Sequence, residues 1–236
     1  MSRPMPRLFV IRHGETEWSL NGRHTGRTDI PLTARGEEQV KKQAHILVGD
    51  GKVIDPKNLC TVFVSPRQRA HKTFHLLFEH VETPHHTLTE DCREWDYGKC
   101  TPALPVLRLY FTLKATTRAF YRPRSRLLTR LGRSGTIKGC PGGESVQQMQ
   151  DRVDAIIAKV REYHKQYKEE GLHTRDVVIV AHGHFSRVLI SRWINFPLCL
   201  GTHFNVEPGG VAYLGYNHNS LKEPALNALN LYADVN

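Results

Sequence analysis

Two short segments of the sequence end in the same way, with a run of apolar residues that stops at a histidine followed by a glycine. Residues 8–14 read LFVIRHG, so Arg12 and His13 follow four apolar residues, and residues 177–184 read VVIVAHGH. A continuous apolar run of this length is typical of a strand buried on both faces of a parallel sheet. Ligand sites in such sheets lie at the carboxyl ends of the strands, so we expect His13 and His182 to converge there.

Helical patterns separate these strands. A helix begins after the capping residue Thr33, another begins near Arg67 after a short strand at 60–64, and the longest runs from Gly143 to a glycine stop at Gly171. This order predicts an α/β fold in which an open, mostly parallel sheet is covered by helices on both faces. We expect one domain over residues 1–236, with a final hairpin at 203–216.

Composition places the chain among globular proteins, because 39% of its residues are hydrophobic and 24% are charged. No apolar run approaches the length of a membrane span, and the N-terminus has no signal-like apolar stretch, so we expect a cytoplasmic location, with a nuclear one left open, and no membrane contact. The cysteines are scattered and never spaced C-x-x-C, which argues against a disulfide framework or a cysteine zinc site. They lie at positions 60, 92, 100, 140 and 199.

The positive net charge of +10 comes from one segment. Between Asp96 and Glu144 the chain has no acidic residue, while the rest of the sequence is formally neutral. Ten basic residues account for the excess: Lys99, Arg108, Lys114, Arg118, Arg122, Arg124, Arg126, Arg130, Arg133 and Lys138. A local excess of this kind is weak evidence for nucleic-acid binding by the whole protein.

Four polar residues follow strands directly: Arg12, His13, Arg67 and His182. Singly, such a histidine is usually a hydrogen-bonded structural residue and such an arginine a solvated charge. Together, two guanidinium groups and two imidazoles beside helix N-termini form a site for a tetrahedral anion, and phosphate is the obvious candidate. The pairs His85–His86 and His182–His184 lack accompanying carboxylates or thiols at ligand spacing, so we expect neither a metal nor a cofactor.

Six motifs in order, RHGETEW, TGRTDIPLTARGEEQ, SPRQRAHKT, REWDYG, CPGGES and VAHGHFSR, resemble the histidine phosphatase superfamily. The family includes phosphoglycerate mutases and sugar-bisphosphate phosphatases, and the resemblance covers about residues 7–98 and 139–230. It implies a phosphoglycerate mutase-like three-layer fold. It also implies a phosphoric monoester hydrolase that needs no metal ion.

The resemblance implies a role for each member of the site. His13 takes the phosphoryl group, while Arg12, Arg67 and His182 hold its oxygens. Glu94 protonates the leaving alcohol and then activates water; such an acid is what an alkoxide leaving group requires. The alternative for Glu94 is an ion pair with Arg93 or Lys99. Asp29 is a rival carboxylate, for which a buried role in fixing its loop is the better interpretation.

The pair Trp95-Asp96 stands where family mutases typically have Arg-His, which favours a phosphatase. Details of the motifs look most like the fungal sedoheptulose 1,7-bisphosphatase group, and a second cation suits recognition of a bisphosphate. His24 departs from that group, which tends to have an aromatic residue there. The substrate-binding residues that the resemblance implies are Thr25, Gly26, Tyr97, Gly183, Arg187 and His218.

Residues 99–138 depart furthest from the family, which usually has an acidic helical stretch in this cap region. Three explanations stay open: a basic cap that recruits polyanionic substrates, a nucleic-acid or membrane contact, or a locally shifted reading frame. The abrupt boundaries at DYG and CPGGES favour the third.

These patterns predict hydrolysis of a sugar bisphosphate, such as sedoheptulose 1,7-bisphosphate, through a phosphohistidine. The alternatives are a phosphoglycerate mutase, a broad-specificity phosphatase, and a catalytically impaired binder of phosphate ligands or polyanions. The expected partner is a small phosphorylated sugar rather than nucleic acid or a membrane, and the oligomeric state is left open.

Overall fold

The computed structural model describes residues 3–98 and 141–232, and the sheet lies at its centre. Six strands are arranged in the order β3-β2-β4-β1-β5-β6. The first four strands in this order are mutually parallel. β5 pairs antiparallel with β1, and β6 pairs antiparallel with β5. The strands are β1 (Arg7–Arg12), β2 (Leu59–Val64), β3 (His86–Leu88), β4 (Asp176–Ala181), β5 (Val211–Tyr216) and β6 (Pro224–Leu231).

Five α-helices connect the strands in the described part of the chain. They are α1 (Glu17–Leu20), α2 (Ala34–Leu47), α3 (Gln68–Phe78), α4 (Val146–Glu169) and α5 (Gly183–Trp193), and short 3₁₀ helices lie at Pro56–Asn58, Glu90–Cys92 and Leu198–His203. The side chains of Thr33 and Ser145 accept hydrogen bonds from the first turns of α2 and α4, which satisfies N–H groups that have no partner within a helix.

Successive side chains of the central strands point to opposite faces of the sheet, so each face has its own hydrophobic core. Leu8 and Val10 of β1 pack in a cluster with residues of α4 and α5. Phe9 and Ile11 face the opposite side, where they join a cluster with residues of α2 and α3. Each fully buried side chain of this size contributes about 1.5–3 kcal/mol to folding. The predicted α/β fold with helices on both faces of a mostly parallel sheet is therefore confirmed.

The predicted hairpin at 203–216 is wrong in position. The hairpin consists of β5 and β6, so its turn lies between Tyr216 and Pro224, and residues 204–210 form an irregular connection. Gly209 and Gly210 form backbone hydrogen bonds with Arg12 and His13, so pairing on that side of β1 begins only just before β5.

The expected basic segment at 99–138 lies outside the described residues, but the chain on either side of it is well placed. A Cβ atom added at Gly98 would lie 2.3 Å from the backbone nitrogen of Gly143, and Gly98 has a φ of +49°. A side chain at either position would therefore collide with the other backbone. The two ends of the intervening segment meet at one point, which only glycine permits.

No helix among residues 3–98 and 141–232 is long and apolar enough to cross a membrane. Cys60 and Cys92 are both free thiols.

Candidate active site

The order of the strands brings the predicted histidines together. Because β4 lies between β2 and β1, the residues that follow these strands, Ser65, His182 and His13, are neighbours. The backbone N–H of His13 donates to the carbonyl of Ala181, and that of Ser65 donates to Val180, both over 3.0 Å. The ring centroids of His13 and His182 are 5.2 Å apart. The carboxyl edge of the sheet thus places two buried imidazoles side by side.

His13 has a defined tautomer. Its Nδ1 lies 2.8 Å from the carbonyl oxygen of Gly14, which can only accept, so Nδ1 carries the hydrogen and Nε2 holds the lone pair. Burial lowers the pKa of His13 well below its ordinary value, and the positive charges of Arg69 and Arg12 lower it further. His13 is therefore a neutral imidazole with an unprotonated Nε2 at neutral pH.

His182 is completely buried, and the hydroxyl of Ser65 orients its ring. The Nε2 of His182 lies 2.7 Å from Ser65 Oγ, while its Nδ1 is buried without a hydrogen-bond partner among the described residues. Burial lowers the pKa of His182 well below its ordinary value, and the charge of Arg69 adds to the effect. The unpaired Nδ1 is available to a ligand.

Arg12 lies against the beginning of α5. Its Nη1 donates to the carbonyl of Val206 over 2.6 Å, and its Nε is buried and unpaired within the described chain. A Cβ atom at Gly183 would lie 3.3 Å from that Nε, so glycine lets the guanidinium approach the helix N-terminus. Burial lowers the pKa of Arg12 to about 10, so Arg12 is still charged at neutral pH.

Arg69 is the central arginine that the sequence interpretation missed. It is fully buried and donates to the carbonyl oxygens of Thr28, over 2.9 Å, and Gly26, over 3.3 Å. Its Nε finds no partner in the ranges that the structure covers. After burial, its charge is the largest influence on the pKa of both His13 and His182, so Arg69 is electrostatically linked to the two imidazoles.

Arg67, the arginine that the resemblance had indicated, lies at the rim of the site. Its Nη2 pairs with Glu90 Oε2 over 3.1 Å, and its side chain is 19% exposed. Its charge still lowers the pKa of His182, after burial and the influences of Arg69 and His13, so Arg67 is a neighbour of the pocket. The motif SPRQRA therefore contributes two arginines, of which the second is the deeper.

Glu94 occupies the N-terminal end of α5. Its Oε1 accepts from the backbone N–H groups of Trp95, over 2.9 Å, and Phe185, over 3.0 Å, and its Oε2 accepts from His184, over 3.2 Å. The side chain is buried, and its charge raises the pKa of Arg12 and of Arg69 against the larger effect of burial. Arg93, one of the two ion-pair partners considered for it, pairs with Glu144 instead; the other, Lys99, lies outside the described residues.

A second wall of the site is formed by Tyr97, His184, His24 and Arg187. Burial raises the pKa of Tyr97 well above its ordinary value, so its hydroxyl keeps its hydrogen. The hydroxyl oxygen lies 2.7 Å from Nδ1 of His184, and the two groups share one hydrogen bond. The ring of His24 lies 4.8 Å from Tyr97 and 5.2 Å from His184, and its Nε2 is buried without a partner in the described part of the chain.

Arg187 is electrostatically linked to this wall. Burial lowers the pKa of His184 well below its ordinary value, and the charge of Arg187 is the next largest cause. The Nε of Arg187 is buried, and the described residues offer it no hydrogen-bond partner. The charge of Arg187 also lowers the pKa of Arg12, after the larger effect of burial, so Arg187 is electrostatically linked to the histidine pocket as well.

The remaining predicted residues divide into two groups. Thr25 and Gly26 are buried in the loop that Arg69 holds, so they border the site. His218 does not reach it. It lies in the turn between β5 and β6, its side chain is 81% exposed, and its Nδ1 pairs with Glu223 over 2.6 Å. Because β5 runs antiparallel to β1, that turn is at the opposite end of the sheet from His13, so the prediction for His218 is wrong.

Asp29 does fix its loop, since it accepts from the N–H of Gln68 over 2.8 Å, but it is exposed rather than buried. Within the described ranges, no three or more His, Cys, Asp or Glu side chains are grouped so that they could hold a metal ion. The buried guanidinium groups of the site are instead suited to an anion, because a guanidinium group is charged and only donates hydrogen bonds.

Comparison with known proteins gives a consistent result. A family model described as the histidine phosphatase superfamily (branch 1) matches residues 8–229. An acid phosphatase of Mycobacterium tuberculosis is 34% identical over 212 residues, which cover 90% of this chain and 87% of the relative. A sedoheptulose 1,7-bisphosphatase of Saccharomyces cerevisiae is 28% identical over 258 residues, covering 94% of this chain and 91% of the relative.

Among solved structures, the product of open reading frame Rv3214 of Mycobacterium tuberculosis superposes with a TM-score of 0.66. It is 30% identical in sequence, and the alignment covers 97% of this chain and 98% of that one.

Proposed function

Because the chain belongs to the histidine phosphatase superfamily (branch 1) and is a phosphoric monoester hydrolase, we propose that it hydrolyses a sugar bisphosphate through a phosphohistidine at His13. The observation that carries the proposal is the state of that residue. His13 is buried and neutral, and the Gly14 carbonyl fixes its tautomer. An imidazole in this state has a lone pair on Nε2 ready to attack phosphorus.

In the first step, Nε2 of His13 attacks phosphorus while the bond from phosphorus to the ester oxygen breaks. The charge on the other phosphoryl oxygens is neutralised by Arg12 and Arg69, whose buried Nε groups lack partners among the described residues. His182 adds its Nδ1–H when the hydroxyl of Ser65 donates to Nε2. Donors placed where charge develops are usually the largest single contribution to such catalysis.

The leaving alkoxide needs a proton, and we assign its donation to Glu94, which enters this step as the carboxylic acid. After the transfer Glu94 is a carboxylate at the N-terminus of α5, where three backbone N–H groups donate to its oxygens. The helix dipole stabilises negative charge at this position. In the second step the carboxylate accepts a proton from water as the water oxygen attacks phosphorus, the bond to His13 breaks, and inorganic phosphate leaves.

A second phosphate group on the substrate is supported by the wall that adjoins the pocket. Arg187 Nε and His24 Nε2 are both buried without a hydrogen-bond partner in the described part of the chain. A further guanidinium group and a further polar ring beside the histidine pocket exceed the needs of a monophosphate. The yeast relative named sedoheptulose 1,7-bisphosphatase makes that sugar bisphosphate the first candidate.

A broad-specificity phosphatase is the second candidate, because the relative at 34% identity is named an acid phosphatase. The two candidates share the chemistry at His13 and differ in the use of Arg187. A bisphosphatase should prefer a sugar bisphosphate strongly over the corresponding monophosphate. A broad-specificity enzyme should hydrolyse both with similar kcat/KM.

The experiment is a substrate panel with the purified full chain. Sedoheptulose 1,7-bisphosphate, fructose 1,6-bisphosphate, fructose 6-phosphate and 3-phosphoglycerate are compared in excess chelator, with His13→Ala as the inactive control. We expect inorganic phosphate from the bisphosphates with the highest kcat/KM. Transfer of phosphate to 3-phosphoglycerate without net release would instead identify a mutase. Activity that only a divalent metal restores would contradict the histidine mechanism.

A further inference from the structure

Glu144 is a buried carboxylate that does not touch the phosphate pocket. Its Oε1 accepts from Arg93 over 3.0 Å and from Arg152 Nε over 2.9 Å, and its Oε2 accepts from Arg152 Nη2 over 2.8 Å. Both partners of the Arg152–Glu144 pair are less than a tenth exposed. Charges buried to this extent persist only when they are paired in good geometry.

The backbone of Glu144 is joined to the same loop as its side chain. Its N–H donates to the carbonyl of Asp96 over 2.8 Å, and its carbonyl accepts from the indole N–H of Trp95 over 2.9 Å. Arg93, Trp95 and Asp96 are thus all bound to Glu144, and they are the residues on either side of Glu94 in the sequence. Glu144 therefore binds residues before and after Glu94 in the sequence rather than Glu94 itself.

Arg152 completes the attachment from α4. Its Nη1 donates to the carbonyl of Asp91 over 2.8 Å and to that of Arg93 over 3.0 Å. The missing side chain of Gly143 allows the two segments to approach, since a Cβ atom there would lie 2.5 Å from the carbonyl oxygen of Asp96. The loop 91–96 is consequently fixed to the beginning of the longest helix at several points.

We propose that Glu144 is a positioning residue for Glu94, and that it acts through Arg93, Arg152 and the backbone of residues 93–96. The inference rests on the proposed function, in which Glu94 is the proton donor. A displacement of about 1 Å in a catalytic group can reduce a rate by about 10²-fold. The carboxyl group of Glu94 has to reach both the leaving oxygen and the attacking water, so its placement affects both steps.

Leaving-group dependence separates positioning from a purely structural role. The test compares glycerol 3-phosphate, whose alkoxide needs a proton, with 4-nitrophenyl phosphate, whose leaving group needs almost none. For Glu144→Gln we expect kcat on the alkyl ester to fall by about 10²-fold, with a much smaller fall on the aryl ester. An equal fall on both esters in folded Glu144→Gln would overturn the inference.

Asp154→Asn is the matched control. Asp154 lies on the same helix as Arg152. It accepts two hydrogen bonds from Arg192 on α5, over 2.7 and 2.8 Å, so its partner is not a residue of the loop 91–96. Its replacement should leave the ratio of the two rates unchanged. An equal change of that ratio in Asp154→Asn and Glu144→Gln would contradict a specific role for Glu144.

A milder variant covers the case in which Glu144→Gln does not fold. Arg93→Gln removes one contact with Glu144 and leaves the Arg152 pair intact, so it should fold and shift the ratio of rates in the same direction by a smaller factor. An unchanged ratio in folded Arg93→Gln would overturn the proposal.

The assignment of Glu94 is tested separately by Glu94→Gln. If that variant has equal losses on both esters, the proposed acid is wrong. If Glu94→Gln depends on the leaving group while folded Glu144→Gln does not, only the positioning role fails.

Discussion

Nη2 of Arg67 lies 3.1 Å from Oε2 of Glu90, so the arginine that the motif first indicates is engaged by a carboxylate at the rim of the site. Glu90 is itself more than half exposed. Arg69, two residues later, has no carboxylate partner among the described side chains and instead donates to two carbonyl groups of the 26–28 loop. Neither of those acceptors is charged, so Arg69 can form an ion pair with a bound anion.

The replacement Arg69→Gln should therefore reduce kcat on any phosphate ester by about 10²–10³-fold, the usual cost of losing one donor to the transition-state charge. Arg67→Gln is the matched variant and should cost much less. Steady-state kinetics on 4-nitrophenyl phosphate compare the two, with circular dichroism to verify folding. If Arg67→Gln were the more damaging change, the assignment of the central arginine to Arg69 would be wrong.

The nucleophile can be identified directly. In His13→Ala no acid-labile phosphoryl adduct should form during rapid mixing with substrate, whereas the wild-type chain should form one on His13. The lone pair that forms the adduct is on Nε2, because Nδ1 carries the hydrogen that it donates to the Gly14 carbonyl. Mass spectrometry of rapidly quenched, base-stabilised peptides locates the phosphate. An adduct on His182 or on Ser65 would reverse the assigned roles.

Recognition of a second phosphate can be tested at Arg187. Arg187→Gln should lower kcat/KM for a sugar bisphosphate by about 10–100-fold, because a charged hydrogen bond is worth about 1.5–3 kcal/mol. The monophosphate should be affected little. Arg192→Gln is the control, since Arg192 lies on the same helix but pairs with Asp154. Equal losses on both substrates would place Arg187 outside the site of the second phosphate.

The stability of the protein should depend on pH through His164, which lies away from the active site. Burial lowers the pKa of His164 to about 4 from 6.5, and its ring is bonded to the hydroxyl of Tyr216 over 2.8 Å. Between these two pH values the unfolded chain binds a proton that the folded chain does not. The free energy of unfolding should therefore fall as the pH falls through this window, by about 1.4 kcal/mol per pH unit for this group.

Urea unfolding at pH 7, 6 and 5 measures that contribution. His164→Gln removes the titrating ring, so its stability should depend on pH less steeply than that of the wild type by about one proton. Identical slopes in the two proteins would mean that His164 does not titrate in this way.

Much of the fold and half of the pocket could be predicted because short, continuous stretches of sequence indicate them. The apolar runs before His13 and His182 fix two buried strands, and parallel strands bring their carboxyl ends to one edge. Arg69 was missed because two arginines stand two residues apart in SPRQRA, and only the helix distinguishes them. Arg67 precedes α3 in an extended conformation, whereas Arg69 is inside the helix, one turn before the buried Thr73. Extending the buried face of α3 backwards by one turn would have identified it.

His218 was misplaced for a non-local reason. A residue in a late hairpin can lie at either end of the sheet, and the direction of β5 decides which. That direction depends on pairing between β5 and β1, in which Leu8 lies opposite Leu214 and Ile11 opposite Val211. Nothing in the sequence around His218 contains this information. The contacts of Glu144 with the residues beside Glu94 are similarly non-local, because 50 residues separate Glu94 and Glu144 in the chain.

The contact between Gly98 and Gly143 has a consequence for how such a protein can vary. Since the chain leaves and re-enters the described fold at one point, an exchange of everything between the two glycines does not require the rest of the backbone to move. The entropic contribution to the free energy of loop closure rises by only about 0.6 kcal/mol for each doubling of the length of a loop. Insertions, deletions and even an unrelated stretch of sequence can therefore be tested at this junction, while the groups that hold phosphate keep their positions.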